Sequence, residues 1–177
     1  NLRNDATSMP EAQLEEAMTE AYGNNWESEF HIFDRYPIAA ASIGQVHRAV
    51  AHDGRELALK IQYPGVGDSI DSDVDNIATV LRFSGLLPDD VDLTALLDDA
   101  KEQLKDEANY LKEAKFLERF NEVLGDDERF VLPELVPELT RRNVLAMTYV
   151  AGGPIDAIAR RPQGERDRVM TALLDLM

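Results

Sequence analysis

One lysine of this sequence stands where it could do chemistry on a phosphate. Lys60 follows Leu57-Ala58-Leu59 in a run rich in strand-forming residues, and alternate strand residues point to opposite faces. Leu57, Leu59 and Ile61 share one apolar face, so the Lys60 side chain lies on the other. An ammonium held there could contact phosphate oxygens. The alternative is an ordinary solvent-exposed lysine on a strand.

Two glutamates are candidate partners for Lys60, because a buried cation needs an anion. At 100° per residue, Glu107 lies at the edge of one apolar helical stripe and Glu113 within a second one. A helix that is apolar on two faces is buried on both, so we expect these carboxylates to be buried. The alternative is salt bridges to neighbouring residues of the same helix, Lys112, Lys115 and Arg119. The first stripe is Leu93, Leu97, Ala100, Leu104, Ala108 and Leu111, and the second is Tyr110, Phe116, Leu117 and Phe120.

A run of small residues precedes Lys60 by one hairpin. Ala39, Ala40, Ala41 and Ser42 are expected between two strands, where small side chains leave backbone N–H groups open to a phosphate. Protein kinases place a glycine-rich loop before a strand lysine of the pattern Val-Ala-Ile-Lys. Alanine is stiffer than glycine in such a loop. The alternative is a tight strand connection whose small residues serve packing.

An apolar strand that ends in glycine is the fourth signal. Val144 to Val150 reads as a strand and runs into Gly152-Gly153. In kinases a strand of this kind joins the two lobes, and the backbone of the linker hydrogen-bonds adenine. The alternative is an edge strand followed by a loop.

The elements that position these residues follow from periodicity and turn signals. Their order, helix, hairpin, helices, strands and helix, predicts an α+β fold. We expect a helix over the opening stretch to about Phe33, with a stop signal at Gly23-Asn24-Asn25, and then strands Ile43–Val50 and Glu56–Tyr63 around an Asp53-Gly54 hairpin. A helix from Asp68 or Ser69 to Phe83 and a linker at 86–88 follow, and then one long helix from Asp89 or Asp92 to Leu124, ended by Gly125. The remaining elements are strands at 131–137 and 143–150 and a final helix or pair of helices.

The composition excludes several classes of function. Its 34 acidic and 18 basic residues give a net charge of −16, which argues against nucleic acid and against a basic membrane surface. Because there is no cysteine, disulfides, thiolate metal sites and cysteine nucleophiles are excluded, and we expect a reducing, cytoplasmic compartment. No apolar run reaches the roughly 18 residues of a spanning helix. The three histidines have no metal-like spacing, so we predict no metal site in this chain.

Taken together, these segments resemble the UbiB/AarF (ADCK-type) family of atypical kinases. The similarity lies in 37–49, which looks like the alanine-rich loop of that family, then in 60–66, in Glu107-Ala108-Asn109-Tyr110 and in Glu113-Ala114. Several separate motifs occur in the order of the family over nearly the whole chain. The resemblance implies a kinase-like N-lobe, with a small antiparallel sheet, a long helix and extra helices.

The resemblance also implies roles for individual residues. Lys60 would contact the phosphates, with Glu113 as its helix-borne partner and Glu107 as the alternative. Met147 would gate the adenine pocket. Ala39, Ala40, Ala41 and Ser42 would form the nucleotide loop, and Thr148, Tyr149, Val150 and Ala151 the hinge. The implied cofactors are ATP and Mg²⁺, in a kinase or ATPase that supports ubiquinone (isoprenoid quinone) biosynthesis, with quinone-biosynthesis proteins or lipid and quinone precursors as partners.

The chain departs from the family pattern in two ways. Asn109 stands where the Glu-x-Asp pattern of the family has aspartate. The upstream lysine-x-glycine-glutamine helix, the catalytic loop and the metal-binding aspartate are not in 1–177, so we expect an inactive piece of a longer protein that is itself cytoplasmic or membrane-associated.

We divide the chain into a helical extension (1–33), a kinase-like N-lobe (34–150) and the hinge with the start of a C-lobe (151–177). Two other functions stay open. One is a catalytically inactive nucleotide-binding scaffold, or pseudokinase, that acts through partner contacts. The other is a phosphotransferase that acts on a small soluble molecule.

Overall fold

The computed structural model describes residues 9–84 and 93–176, which build one four-stranded antiparallel sheet and five α-helices. The strand order is β1-β2-β3-β4, so each strand pairs with the next one along the chain. This architecture confirms the α+β class and is that of a kinase N-lobe. The elements are α1 (Glu11–Tyr22), β1 (Ile32–Ala41), β2 (Gly44–Val50), β3 (Glu56–Gln62), α2 (Val66–Ser84), α3 (Leu93–Glu107), α4 (Tyr110–Leu124), β4 (Val144–Thr148) and α5 (Gln163–Asp175), with short 3₁₀ turns at Trp26–Glu29, Pro137–Leu139 and Ile155–Arg160.

The two faces of the sheet differ, as the alternation in β3 predicts. Leu57, Leu59 and Ile61 are completely buried and belong to the main hydrophobic core. The α1 helix covers this face with Leu14 and Met18, which are buried in the same core. Lys60 therefore lies on the opposite face, where the sheet is more open.

Polar contacts fasten α1 to the sheet. Arg35 of β1 pairs with Glu15 at 2.5 Å and with Glu11 at 3.2 Å, and its guanidinium lies 5.4 Å from the Trp26 ring centroid. The Asn143 side chain donates to the Ala17 carbonyl at 3.2 Å. The opening helix is thus part of the packed fold.

The prediction of the first third is partly wrong. The helix ends at Tyr22, where Gly23 follows with φ 87°, but the chain then enters β1 at Ile32, inside the predicted helical stretch. Ala39 to Ala41 belong to β1 and pair with β2, so the predicted small-residue loop is reduced to a turn at Ser42 and Ile43. Alanine is tolerated in a strand backbone, and Ala39, Ala40 and Ala41 pair in register with Val46, Gln45 and Gly44.

The single long helix is wrong as well, because it is two helices that meet at Ala108 and Asn109. Asn109 has extended backbone angles (φ −110°, ψ 93°), and its side-chain oxygen accepts the Leu111 N–H at 3.1 Å. An asparagine at this N-cap position ends one helix and starts the next. The predicted start of the long helix and the linker at 86–88 lie outside the described residues.

The predicted strand at 131–137 is wrong, although that at 143–150 is confirmed in its centre. Only Leu135 forms a β-bridge, with Met147, and the rest is irregular up to the turn at Pro137. Pro133 and Pro137 have no N–H to give to a ladder, which explains the interruption.

Candidate functional site

The Lys60 ammonium and the Glu113 carboxylate form the central contact of the site. Lys60 Nζ lies 2.8 Å from both Glu113 Oε1 and Glu113 Oε2, a geometry in which one cation is shared by two oxygens. Strand β3 holds Lys60 and the first turn of α4 holds Glu113, so the contact joins sheet to helix across 53 residues of sequence. The expected pairing is present, and the alternative of intrahelical salt bridges to Glu113 is not adopted.

The expected burial of the glutamates is wrong. The Glu113 side chain is 41% exposed and that of Lys60 is 21% exposed. Phe116 and Phe120, predicted to line a second buried face, are 70% and 51% exposed. Helix α4 buries only the side that carries Tyr110 and Ala114, which is the side that packs against β4.

Glu107 occupies a different place from Glu113. It ends α3, is exposed, and makes no ion pair with Lys60 within the described part of the chain. Its neighbour Asp106 pairs with Lys112 instead. The structure therefore brings Glu113, and not Glu107, to the ammonium.

A cavity of about 860 Å³ opens beside this pair. Ser42 and Ile43 of the β1–β2 turn lie at one side, and the carboxylates of α3 and α4 lie at the other. The lining residues are Ser42, Ile43, Lys60, Asp99, Glu102, Gln103, Asp106, Glu107, Lys112, Glu113 and Phe116. Five carboxylates and two ammonium groups give the cavity lining a net negative charge, so the two lysines are the groups that could attract a phosphate.

The strand register puts the other candidate residues on the Lys60 face. Lys60 is opposite Val46, and Val46 is opposite Ala39, while Ala58 is opposite Met147. Apart from Lys60, these residues form a partly exposed strip between the turn and the end of β4 and do not line the cavity. The site thus has two parts, the cavity around Lys60 and the apolar strip that leads to Met147.

The backbone at the end of β4 is only partly used. The Thr148 N–H donates to the Glu134 carbonyl at 2.9 Å and the Tyr149 N–H donates to the Glu56 carbonyl at 2.8 Å. The Glu134 N–H is accepted by the Thr148 hydroxyl at 2.8 Å rather than by the Thr148 carbonyl. Among the described residues, the Thr148 carbonyl and the Val150 N–H have no backbone partner. A donor and an acceptor two residues apart remain for a ligand.

Tyr110 is a residue of the site whose role sequence reasoning missed. Its ring is completely buried beside Leu145, and the Lys60 Nζ lies 4.8 Å from the ring centroid. Burial, with the Glu113 charge nearby, raises the pKa of the hydroxyl above its ordinary value, so it stays protonated at neutral pH. The available signal was its spacing, three residues before Glu113 on a helix.

Residues 9–84 and 93–176 contain no group of three or more His, Asp or Glu side chains arranged to hold a metal ion. None of the helices described there is long and apolar enough to span a bilayer.

Comparison with known proteins identifies relatives of this chain. A family model described as the ABC1 atypical kinase-like domain matches residues 1–177. The mitochondrial atypical kinase coq-8 of Caenorhabditis elegans is 41% identical over 99% of this chain, and the mitochondrial COQ8 kinases of Saccharomyces cerevisiae and Schizosaccharomyces pombe are 39% and 45% identical over 99% and 85% of it. The chain spans only 23%, 35% and 25% of these three relatives.

A solved structure is also similar to this chain. The complex of Rv3197 with erythromycin from Mycobacterium tuberculosis superposes with a TM-score of 0.75 at 30% identity, over 91% of this chain and 41% of that one. The family match over the whole chain confirms the resemblance seen in the motifs. The chain belongs to the family of ABC1 atypical kinase-like domains, which includes the COQ8 and AarF-type kinases.

Proposed function

We propose that this chain forms the ATP-binding portion of an atypical kinase or ATPase of the type that supports ubiquinone biosynthesis. The observation that carries the proposal is the Lys60–Glu113 contact at 2.8 Å, on a sheet face with small and apolar side chains. A carboxylate that holds a lysine from one side leaves the ammonium directed and charged for a phosphate. Kinship with proteins named as mitochondrial atypical kinases supports the rest of the proposal.

The residues present fit an adenine nucleotide. The free Thr148 carbonyl and Val150 N–H would hydrogen-bond the base, and the strip of Ala58 and Met147 would contact its faces. Lys60 would bind the phosphates, close to the turn at Ser42. ATP, when bound, supplies the phosphoryl group, and the protein contributes positioning and charge stabilisation. The Mg²⁺ ligands are expected in parts of the protein beyond this chain. Because the carboxylates that line the cavity would repel the phosphates of free ATP, the cavity favours a nucleotide that arrives with Mg²⁺ bound.

ATP titration of the full-length protein tests the proposal. We expect Lys60→Ala to weaken ATP binding by about tenfold or more, because it removes a charge-assisted contact to phosphate. Glu113→Gln should weaken binding more than Glu107→Gln, which is the matched control because it lines the same cavity without contacting Lys60. Equal affinity of wild type and Lys60→Ala would remove Lys60 from the site. The reverse order of the glutamates would move the anchor to Glu107.

Titrations with and without Mg²⁺, followed by an assay of ATP consumption, separate the possible activities. Consumption stimulated by lipid or quinone precursors supports the proposed enzyme, whereas stimulation by a soluble acceptor indicates a small-molecule phosphotransferase. Binding with no turnover in the full-length protein would indicate the pseudokinase scaffold instead. Fractionation of cells tests the expected cytoplasmic or membrane-associated location against the mitochondrial one of the named relatives.

A further inference from the structure

We propose that Tyr110 is a positioning residue for Lys60, through its aromatic ring and not through its hydroxyl. The Lys60 ammonium has Glu113 oxygens at 2.8 Å on one side and the Tyr110 ring centroid at 4.8 Å on another. A ring face attracts a cation electrostatically within about 6 Å of the centroid. Two groups of one helix thus fix the direction of one flexible side chain.

The backbone fixes the ring in place. Tyr110 is the first residue of α4, directly after the Asn109 cap, and its N–H donates to the Arg142 carbonyl at 3.0 Å. The ring is completely buried among Leu145 and Ala114. Because Tyr110 and Glu113 are three residues apart on a helix, they face the same side. The ring therefore presents a rigid wall to the ammonium, in contrast to the half-exposed Glu113.

The Glu113 carboxylate alone is a weak constraint. Its side chain is 41% exposed, and ion pairs that water can reach are screened and leave the long lysine side chain mobile. A buried ring is not subject to this loss, since it is held by packing. The ring should therefore contribute to the preorganisation of Lys60 even when salt weakens the ion pair.

The hydroxyl of Tyr110 provides the internal control. It is buried and has no hydrogen-bond partner among the described residues. A buried hydroxyl without a partner costs stability, so the position uses the ring and tolerates loss of the oxygen. Tyr110→Phe keeps the ring and Tyr110→Leu removes it, which separates the two possible roles.

The direct test is the NMR signal of the Lys60 ε-methylene protons in the full-length protein without nucleotide. A ring current shifts protons above a ring face upfield. We expect this shift in wild type and in Tyr110→Phe, and its loss in Tyr110→Leu. The matched control is Tyr22→Leu, which removes another tyrosine ring that contacts a cation, Arg141 at 4.9 Å, away from the site. It should leave the Lys60 signal unchanged.

The consequence for ligand binding rests on the proposed function. Tyr110→Leu should weaken ATP binding by about tenfold, a factor that corresponds to a desolvated cation–π contact, while Tyr110→Phe stays within about twofold of wild type. An unshifted Lys60 signal in wild type, or a signal that is the same in Tyr110→Leu, would overturn the inference. So would a loss of affinity in Tyr110→Phe equal to that in Tyr110→Leu. If wild type binds no ATP, the proposed function fails, and the NMR comparison still decides the role of the ring.

Discussion

At the scale of single residues, the pairing of Lys60 with Glu113 was predictable and its surroundings were not. The alternation of β3 fixed the face of Lys60, and helical spacing together with the family resemblance ranked Glu113 above Glu107. The exposure of Glu113 could not be predicted, because hydrophobic periodicity shows which side chains are apolar and not what covers them. Phe116 is the example, since it is apolar, lies on the predicted stripe and is exposed.

Gly44 carries a prediction at this scale. A Cβ atom built on it would lie 2.1 Å from the Ile61 carbonyl oxygen, which is a backbone atom of the neighbouring strand and cannot rotate away. We expect Gly44→Ala to lower the free energy of unfolding by about 1 to 3 kcal/mol, as overpacking does.

Urea unfolding measures the effect of Gly44→Ala. The control is Gly152→Ala, where an added Cβ meets nothing within 4 Å, and that variant should unfold like wild type. An unchanged midpoint for Gly44→Ala would show that β2 and β3 can separate at this point without cost.

At the scale of elements, the sequence did not predict the break between α3 and α4 at Ala108 and Asn109. The apolar pattern runs through it, and Asn109 lacks the glutamate three residues later that marks a capping box, since Lys112 stands there. Two tertiary hydrogen bonds stabilise the break: Gln62 Nε2 donates to the Ala108 carbonyl at 3.0 Å, and Tyr110 N–H donates to the Arg142 carbonyl. Contacts between residues so far apart in sequence leave no local signal.

The N-cap role of Asn109 predicts that an aspartate, the residue expected from the family pattern, would stabilise this position equally well. Asn109→Ala should lower the free energy of unfolding by about 1 kcal/mol, because it removes an N-cap side chain. Asn109→Asp should stay within about 0.5 kcal/mol of wild type, since aspartate caps equally well.

Thermal and urea unfolding of the two Asn109 variants check this. If the aspartate variant were destabilised as much as the alanine variant, capping would not be what this position provides. Repulsion from the nearby Asp106 and Glu107 carboxylates would then dominate.

At the scale of the whole molecule, the sequence predicted the α+β class, but not strand β1, the division of the long helix or how α1 meets the sheet. The helix covers the face that carries Leu59, and the residues that fasten it, such as Arg35 and Asn143, are distant in sequence. Periodicity identifies an apolar helical face but not its partner. The packing of α1 onto the core therefore came from the structure alone.

The buried His47 of β2 makes the fold sensitive to acid. Burial lowers the pKa of His47 below its ordinary 6.5, although its ring bonds the Asp34 carbonyl at 2.9 Å and stacks on Phe33. The unfolded chain therefore binds a proton near pH 6.5 that the folded chain takes up only at lower pH. The free energy of unfolding should fall as the pH falls below about 6.5.

Comparison with His47→Gln isolates this contribution from the titration of other groups. The stability advantage of wild type over His47→Gln should shrink between about pH 7.5 and 5.5, as measured by urea unfolding. The control, His52→Gln, removes an exposed histidine and should keep the wild-type slope. A constant difference between wild type and His47→Gln would mean that His47 titrates alike in both states.

Two hydrogen bonds hold the start of α4 in place. They connect this part of the chain to β3 and to the segment before β4, while the far end of the helix carries the exposed Phe120 and Val123. The far end is also attached, because the Asn121 side chain donates to the Pro133 carbonyl at 2.9 Å, so a partner that docked on Phe120 would meet a helix held at both ends. Glu113 would keep its position in such a complex, and its contact with Lys60 would persist.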